Sequence, residues 1–398
     1  MNHILNRLQI VDMIRGLALL GILIFNIQTY ALFAFLRPEQ VYVLGLDAPS
    51  TYLPVQLLIQ LFVRGQFYTL YSFLFGFGFY MIMNRNLARG WEGQRIFRRR
   101  MWILLLFGVI HATVFWFGDI LHKYAILGFT LPYFYAKSPR QIINWIGGIA
   151  GATILISIVR TVLFGSNEGN SQEMDAVIDQ VVQTWQHGSF FDVLNMQKLG
   201  VAMLWFMDAQ HGFTGLAHYE IMFLLGLLAG KGEVFLRIPE LKGILRTWTF
   251  RLLLVAFLFK LVASAEVLRL HWLPDSLHHY ETLIYSLSRF IGTPLLTIGY
   301  LMLFILLAGN SSSALARWIA NAGRLGLTNY LMQTLLCMLL FYGYGVGLSG
   351  SLTLLEAVGV AFLIYIFQLV YSTIWLRYYE MGPMEGLWRR LTYPRKSV

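Results

Sequence analysis

The run Gly108-Val-Ile-His111-Ala-Thr-Val-Phe-Trp116-Phe-Gly118-Asp119-Ile-Leu-His122-Lys123-Tyr124 sets an imidazole eight residues ahead of a carboxylate inside an apolar stretch. A histidine oriented by a carboxylate has the arrangement of a general base, because the partner fixes the tautomer and stabilises the imidazolium that forms. His111 is expected in the outer half of a membrane helix, with Asp119 just beyond it at the tight turn into the next helix. A lone buried histidine in such a place can equally be a satisfied packing residue. Tyr124 closes the stretch and is grouped with the acceptor side of a site, whereas His122 and Lys123 read as surface groups.

A second constellation lies near the N-terminus. Asp12 and Arg15 are three residues apart and share a face of a helix, and Asn26, eleven residues beyond Arg15, returns to almost the same face. One polar stripe therefore runs from a membrane surface to a depth of roughly 16 Å. That is about the reach of an extended pantetheine arm whose nucleotide end stays among basic groups. An interfacial ion pair and an interhelical hydrogen bond would use the same residues. Arg64, beside Gly65 and Gln66, and Arg289, beside Ser288 and ahead of Pro294, interrupt the outer halves of helices. Either could hold an anionic acceptor or neutralise Asp119 and Glu281. His211, His218 and Glu220 approach the same side, but the glycines between the two histidines argue against a metal-binding face, and no metal is expected.

The elements that must position these residues follow from composition. Of 398 residues, 57% are hydrophobic and 13% charged, where soluble domains carry about 25% charged residues; mean hydropathy is +0.61. Near-continuous apolar runs of membrane length must be helices, because lipid cannot satisfy an open backbone. The fold class is all-α, a polytopic transmembrane bundle of about ten helices in a single membrane domain. Spans are predicted near 17–36, 55–83 (with a break at Arg64–Gly65), 101–117, 120–136, 141–164, 215–230, 248–270, 283–308, 326–346 and 352–376.

Most of the 30 lysines and arginines fall into six clusters: Arg7 and Arg15, Arg85 to Arg100, Lys137 and Arg140, Lys231 to Arg251, Arg317 and Arg324, and Arg377 to Lys396. All six occupy one side of a ten-helix arrangement, so the positive-inside rule puts both termini in the cytoplasm. The net charge of +10 thus has a topological use and does not imply nucleic acid. On the outer side only 165–215 is long. Met174, Val177, Ile178, Val181, Val182 and Trp185 recur there at helical spacing opposite Glu173, Asp175 and Asp179, an amphipathic helix. The run 190–207 is expected to lie in the interface or re-enter, since a full crossing would break the charge pattern. Leu17 to Phe35 is expected to stay as the first span, with no cleavage site closing it. Cys337 is the sole cysteine, which excludes disulfides within one chain. No phosphate-binding lysine loop, dinucleotide glycine fingerprint or zinc HExxH pattern occurs.

Three stretches together resemble the YeiB-like family of bacterial membrane proteins, a family of unassigned function: Arg7-Leu-Gln-Ile-Val-Asp12-Met-Ile-Arg15-Gly16 onward to Asn26, the His111 and Asp119 run, and Gly323-Arg324-Leu-Gly-Leu-Thr328-Asn329-Tyr330-Leu-Met-Gln333-Thr334. A fourth, Gly382-Pro383-Met-Glu385-Gly-Leu-Trp388-Arg389-Arg390, closes the chain as that family does. The first stretch is also similar to the opening helix of a wider superfamily of membrane acyltransferases that includes heparan-α-glucosaminide N-acetyltransferase. That resemblance implies acyl transfer from cytoplasmic acyl-CoA, acetyl-CoA foremost, to an acceptor on the far side, with Asp12, Arg15, Gly16 and Asn26 at the donor channel and reaction centre. The heparan enzyme has a histidine eleven residues after the matching asparagine, where this chain has Arg37. The base must then come from elsewhere, and His111 is the candidate.

The expectation is an inner-membrane acyltransferase. Asp12, Arg15, Arg324, Asn329, Arg389 and Arg390 would hold the donor, and Asn26, His111 and Asp119 would carry the chemistry. Arg64, Arg289, His211 and Tyr124 would receive an outer-side acceptor. A transporter or flippase for an anionic or lipid-like molecule would use the same polar residues, as would a sensor or scaffold without turnover. The usual transporter sign of paired broken helices in an internal repeat is absent.

Overall fold

The computed structural model describes residues 2–164, 171–267, 273–274, 278–308 and 313–393, and the side chains of 2–8, 164, 171–175, 278–279 and 308 are not among those described. The acidic face expected at Glu173 and Asp175, the basic side chain of Arg7, and Arg395 and Lys396 therefore lie outside the described residues.

Every described element is helical: α1 (Asn2–Tyr30), α2 (Pro38–Val43), α3 (Pro49–Phe62), α4 (Gln66–Ala88), α5 (Gly93–Ile110), a π-turn (His111–Phe115), α6 (Leu121–Gly128), α7 (Leu131–Tyr135), α8 (Pro139–Phe164), α9 (Ser171–His187), α10 (Phe190–Gln210), α11 (Thr214–Lys231), α12 (Ile238–Ser264), α13 (His278–Ala308), α14 (Ala314–Arg324), α15 (Gly326–Phe341), α16 (Leu354–Tyr378) and α17 (Pro383–Thr392). Each of the ten apolar windows read from the sequence falls on a helix or a broken pair. Among the described residues, five helices are long and apolar enough to cross a membrane unaided: 9–30, 139–163, 238–264, 280–307 and 354–378. The others are shorter, interrupted or more polar.

The first helix is the hub. Of its apolar window 61% is buried inside the protein, against 11% for α8, which therefore stands at the periphery. α1 packs on α4, α13, α14, α15 and α16, while α12 pairs with α13 and α11 with α4. Two of these contacts explain a sequence motif. A Cβ added at Gly323 would lie 1.8 Å from the carbonyl oxygen of Asp12, and one at Gly16 would lie 2.1 Å from that of Ile319. Only glycine lets α1 and α14 meet backbone to backbone, and the adjoining arginines, Arg15 and Arg324, are thereby brought to one end of the bundle.

The expected break in the second window is present. α3 ends at Phe62, Gly65 takes φ +89°, and α4 begins at Gln66. Around 190–231 the chain bends by 82° between α10 and α11, so if α11 crosses a membrane, α10 runs close to its plane. Ser189 and Asp192 cap α10, the serine hydroxyl accepting from the Asp192 N–H while the carboxylate accepts from Ser189. The amphipathic helix α9 docks on protein rather than lipid. Ile178, Val181 and Trp185 are buried, and the Trp185 ring meets Tyr342 edge-on at 5.1 Å.

Candidate active site

His111 and Asp119 meet. His111 Nδ1 lies 2.8 Å from Asp119 Oδ1, and both side chains are almost fully buried. The device that joins them is the π-turn, in which the Trp116 N–H donates to the His111 carbonyl at 2.8 Å and the helix ends. The chain then folds back so closely that a Cβ at Gly108 would stand 2.3 Å from the His122 nitrogen. Gly108 is the space into which the start of α6 fits, and that fit sets Asp119 over His111.

Asp119 does more than the sequence indicates. Its second oxygen, Oδ2, accepts from the His122 backbone N–H at 2.9 Å and lies 2.8 Å from His122 Nδ1. His122 is buried, against the expectation of a surface group, because the first turn of α6 points it inward beside Trp205. Lys123 is also largely covered and pairs with Asp208 of α10 at 2.5 Å. One buried carboxylate thus orients two imidazoles. The far nitrogen of His111, Nε2, lies 2.9 Å from the Thr334 hydroxyl of α15, and Tyr330 stacks obliquely on the ring at 5.3 Å.

A narrow, almost wholly apolar cavity of about 70 Å³ leads to this group. Ile120, Tyr124 and Tyr330 line it at the His111 end, and Tyr71, Gly326 and Trp388 line it at the basic end of the bundle. At the basic end, Arg15 bonds Asp12 at 3.0 Å, and Arg324 lies within electrostatic reach of the same carboxylate. Arg100 covers the Trp388 ring at 3.5 Å, and the indole N–H donates to the Arg100 carbonyl. Arg100 in turn feels Arg15 and Glu385. None of these arginines lines the cavity itself, but each stands next to a residue that does: Arg100 over Trp388, Arg15 within electrostatic reach of Tyr71, and Arg324 two residues before Gly326. Glu385 fixes this end by capping α15, accepting from the Leu327 N–H at 2.7 Å, the Thr328 N–H at 3.0 Å and the Thr328 hydroxyl at 2.5 Å. Arg100, Trp388 and Glu385 carried no individual signal beyond their motif and cluster, since only the fold places them at this end.

Asn26 is buried on α1 and its Oδ1 accepts from the Tyr68 hydroxyl, which leaves Nδ2 without a partner among the described residues. The Tyr124 hydroxyl donates to the Tyr68 carbonyl at 2.6 Å, and Tyr68, Tyr124 and Tyr330 gather within electrostatic reach of one another, Tyr68 and Tyr330 also of Asp119. Asn26 and Tyr124 thus belong to the same region as His111 and Asp119.

Other expected residues fall elsewhere. Asn329 is fully buried and its amide is spent on the Ala322 carbonyl and the Ser372 hydroxyl, both at 2.9 Å, tying α15 to α14 and α16. Arg389 and Arg390 are exposed on α17, beside an open groove of about 1300 Å³ shared with Arg99 and Glu380. The groove is next to the basic end, but its arginines do not line the narrow cavity. His211 is exposed at the end of α10, where its ring bonds the Met207 carbonyl. Arg64 and Arg289 do come together at the opposite end of the bundle. Arg289 pairs with Glu266 rather than neutralising Glu281, and Arg64 bonds Gln60 at 2.8 Å rather than reaching Asp119. Lys260, not among the residues expected from the sequence, joins them there. Its signal was a single cation in the apolar run of α12, where a charge is costly in hydrocarbon. No cluster of metal-ligating side chains occurs among the described residues.

The family profile described as "Protein of unknown function (DUF418)" matches residues 229–395. The uncharacterised protein YxaH of Bacillus subtilis is 30% identical over 404 residues, covering 97% of this chain and 94% of the relative. The uncharacterised protein YeiB of Escherichia coli is 29% identical over 394 residues, with 96% and 95% covered. An uncharacterised 39.9 kDa protein of Bacillus acidopullulyticus is 28% identical over 403 residues, with 98% and 95% covered. No solved structure matches the chain. With similarity sustained from end to end and an all-helical membrane fold beneath it, the chain belongs to the YeiB-like family of membrane proteins of unknown function.

Proposed function

We propose that this protein is a membrane-embedded acyltransferase that moves an acyl group from cytoplasmic acyl-CoA to an acceptor at the outer face of the bacterial inner membrane. The observation that carries the reading is an apolar cavity whose Trp388 lies under Arg100 at one end and whose Tyr330 lies against the buried, Asp119-bound His111 at the other. With the ten crossings and inside termini expected from the charge pattern, Arg15, Arg100 and Arg324 would face the cytoplasm, as the positive-inside rule asks. A CoA diphosphate suits these arginines, and the apolar lining suits an uncharged pantetheine arm once the cavity, about 70 Å³ here, widens to admit it.

In the transfer, an acceptor hydroxyl or amine attacks the thioester carbonyl carbon and a C–O or C–N bond forms. His111 takes the acceptor proton through Nε2, where the Thr334 hydroxyl now sits, while Asp119 steadies the imidazolium. The C–S bond then breaks and the CoA thiolate leaves, taking the proton back. Tyr68 holds Asn26 Oδ1, which turns Nδ2 free to donate to the oxyanion.

Thermal unfolding of the detergent-purified protein with acetyl-CoA and longer acyl-CoAs tests the donor half. A stabilisation of about 2–3 kcal/mol at a hundredfold excess over Kd is expected, and Arg15→Gln and Arg324→Gln should each diminish it. A transporter reading predicts no CoA dependence, so a flat response in folded protein overturns the enzyme in favour of transport.

A further inference from the structure

The opposite end of the bundle holds a second cavity, of about 350 Å³, walled by the end of α1, by α3 and by the turn after α12. Unlike the inner bore it is polar: Gln28, Gln56, Gln60, Arg64 and Glu266 line it. Cations collect behind this wall. Lys260, 2% exposed, donates to the Arg64 carbonyl at 3.1 Å, an oxygen freed by the helix break at Val63–Gly65. Arg64, Lys260 and Arg289 lie within electrostatic reach of one another. His218, stacked on Phe290 at 4.6 Å, faces both Lys260 and Arg289. Among the described residues the sole carboxylate of the group is Glu266, already paired with Arg289. Arg64 has a neutral partner, Gln60, and Lys260 a neutral partner, the carbonyl. Gln56 adds a buried side-chain oxygen with no partner, and rotation of its amide would offer a donor instead.

Like charges gathered in a low-dielectric region repel, and desolvated cations persist there when something negative meets them. Two cations more than carboxylates, beside a polar cavity open to the outer side, describe a receptor for an anion. We propose that this outer cavity binds a phosphate-bearing group through Arg64 and Lys260, with Arg289 and Glu266 as its adjustable edge. Arg64 supplies a planar fork suited to two phosphate oxygens, and Lys260 a point charge below it. Phe25 links the two regions: it lines the outer cavity and meets edge-on the ring of Tyr68, the residue that holds Asn26. On the acyl-transfer reading, which this assignment of role rests upon, the acceptor is therefore anionic and approaches from this cavity.

The test uses the full-length protein carrying Arg15→Gln and Arg324→Gln, so that the arginines at the other end contribute less anion signal. Inorganic phosphate is titrated at constant ionic strength against thermal unfolding, and the same protein is compared in nanodiscs of phosphatidylcholine with and without phosphatidylglycerol. A saturable rise in Tm with phosphate that is lost in Lys260→Met and in Arg64→Gln supports the site. A rise seen only with phosphatidylglycerol, and lost in the same variants, assigns the phosphate to a lipid headgroup. No response to either source overturns the proposal, as does a response that both variants retain. Acyl-CoA stabilisation is measured in parallel on wild type and on Lys260→Met with Arg15 and Arg324 intact. It should be unchanged by Lys260→Met, so failure of the outer site and failure of the donor site read out separately.

Discussion

The two cavities of this protein differ in every property that decides what a cavity can hold, although one helix lines both. The inner one is about 70 Å³ and apolar, with charge only beyond its lining, where Arg100 covers Trp388. The outer one is about 350 Å³ and carries its polar and charged groups in its walls. On α1, Leu19 and Ile22 face the first, and Phe25, Gln28 and Thr29 face the second. Asn26 sits where the lining changes hands. The first lining suits a thin neutral arm with its charged head outside, and the second suits a compact charged group. Two substrates of unlike shape, meeting near one asparagine, is what a transfer reaction across a bilayer requires, whereas a transported molecule would have to suit both linings in turn.

The strongest way to break that comparison is Asp119→Asn. Its carboxylate holds both His111 and His122, so the exchange should lower acyl transfer by roughly 10²–10⁴-fold, followed as free CoA thiol released with acceptor present. Acyl-CoA binding should persist, because the arginines of the basic end are untouched. Turnover at the wild-type rate would mean that the inner bore ends at packing residues and would remove the functional contrast between the two ends.

Next in size is the crossing of α1 and α14. Gly323→Val forces a side chain into the Asp12 carbonyl, and overpacking of this kind costs about 1–3 kcal/mol. The expected result is a lower Tm together with weaker acyl-CoA binding, since Arg15 and Arg324 would no longer share one end of the bundle. Arg324→Gln isolates the second effect. Its main-chain contact to Glu380 is peripheral, so the fold should hold while acyl-CoA Kd rises about tenfold, or about 1.4 kcal/mol. If Kd is unchanged by Arg324→Gln yet falls apart in Gly323→Val, the basic end matters for packing alone.

How far these features were legible varies with distance along the chain. The helical windows, the break at Arg64–Gly65 and the amphipathic helix at 171–187 are local consequences of hydropathy, glycine and helical spacing, and the structure has all three. The pairing of His111 with Asp119 depended on how a turn closes, and a π-turn closes it. The second hold of Asp119 on His122 has no local signal, because an inward histidine and a surface one look alike in sequence. Asn329, Arg389 and Arg390 also stand in motifs, but motif membership does not say where a side chain goes: Asn329 secures α14, α15 and α16 to each other, and the two arginines line the open groove rather than the cavity. Lys260 was legible from its apolar surroundings, yet its partners lie about 200 and 30 residues away along the chain, so its meaning was not.

The smallest effect sharpens the inner half of the comparison. Trp388 reaches the bore from α17, and its ring lies under the Arg100 guanidinium at 3.5 Å. A stack of this kind contributes about 0.5–2 kcal/mol, and it holds the arginine over the indole rather than out in solvent. Trp388→Leu keeps an apolar lining but releases Arg100. Acyl-CoA binding should therefore weaken a few-fold, while a short thioester that lacks the nucleotide should bind as before, as measured by competition against labelled acyl-CoA. Equal loss for both thioesters would place the indole in the bore itself, as a wall for the arm, and Arg100 would drop out of the donor site. The outer cavity supplies the control, because its response to phosphate depends on Arg64 and Lys260 and should not change when Trp388 is replaced.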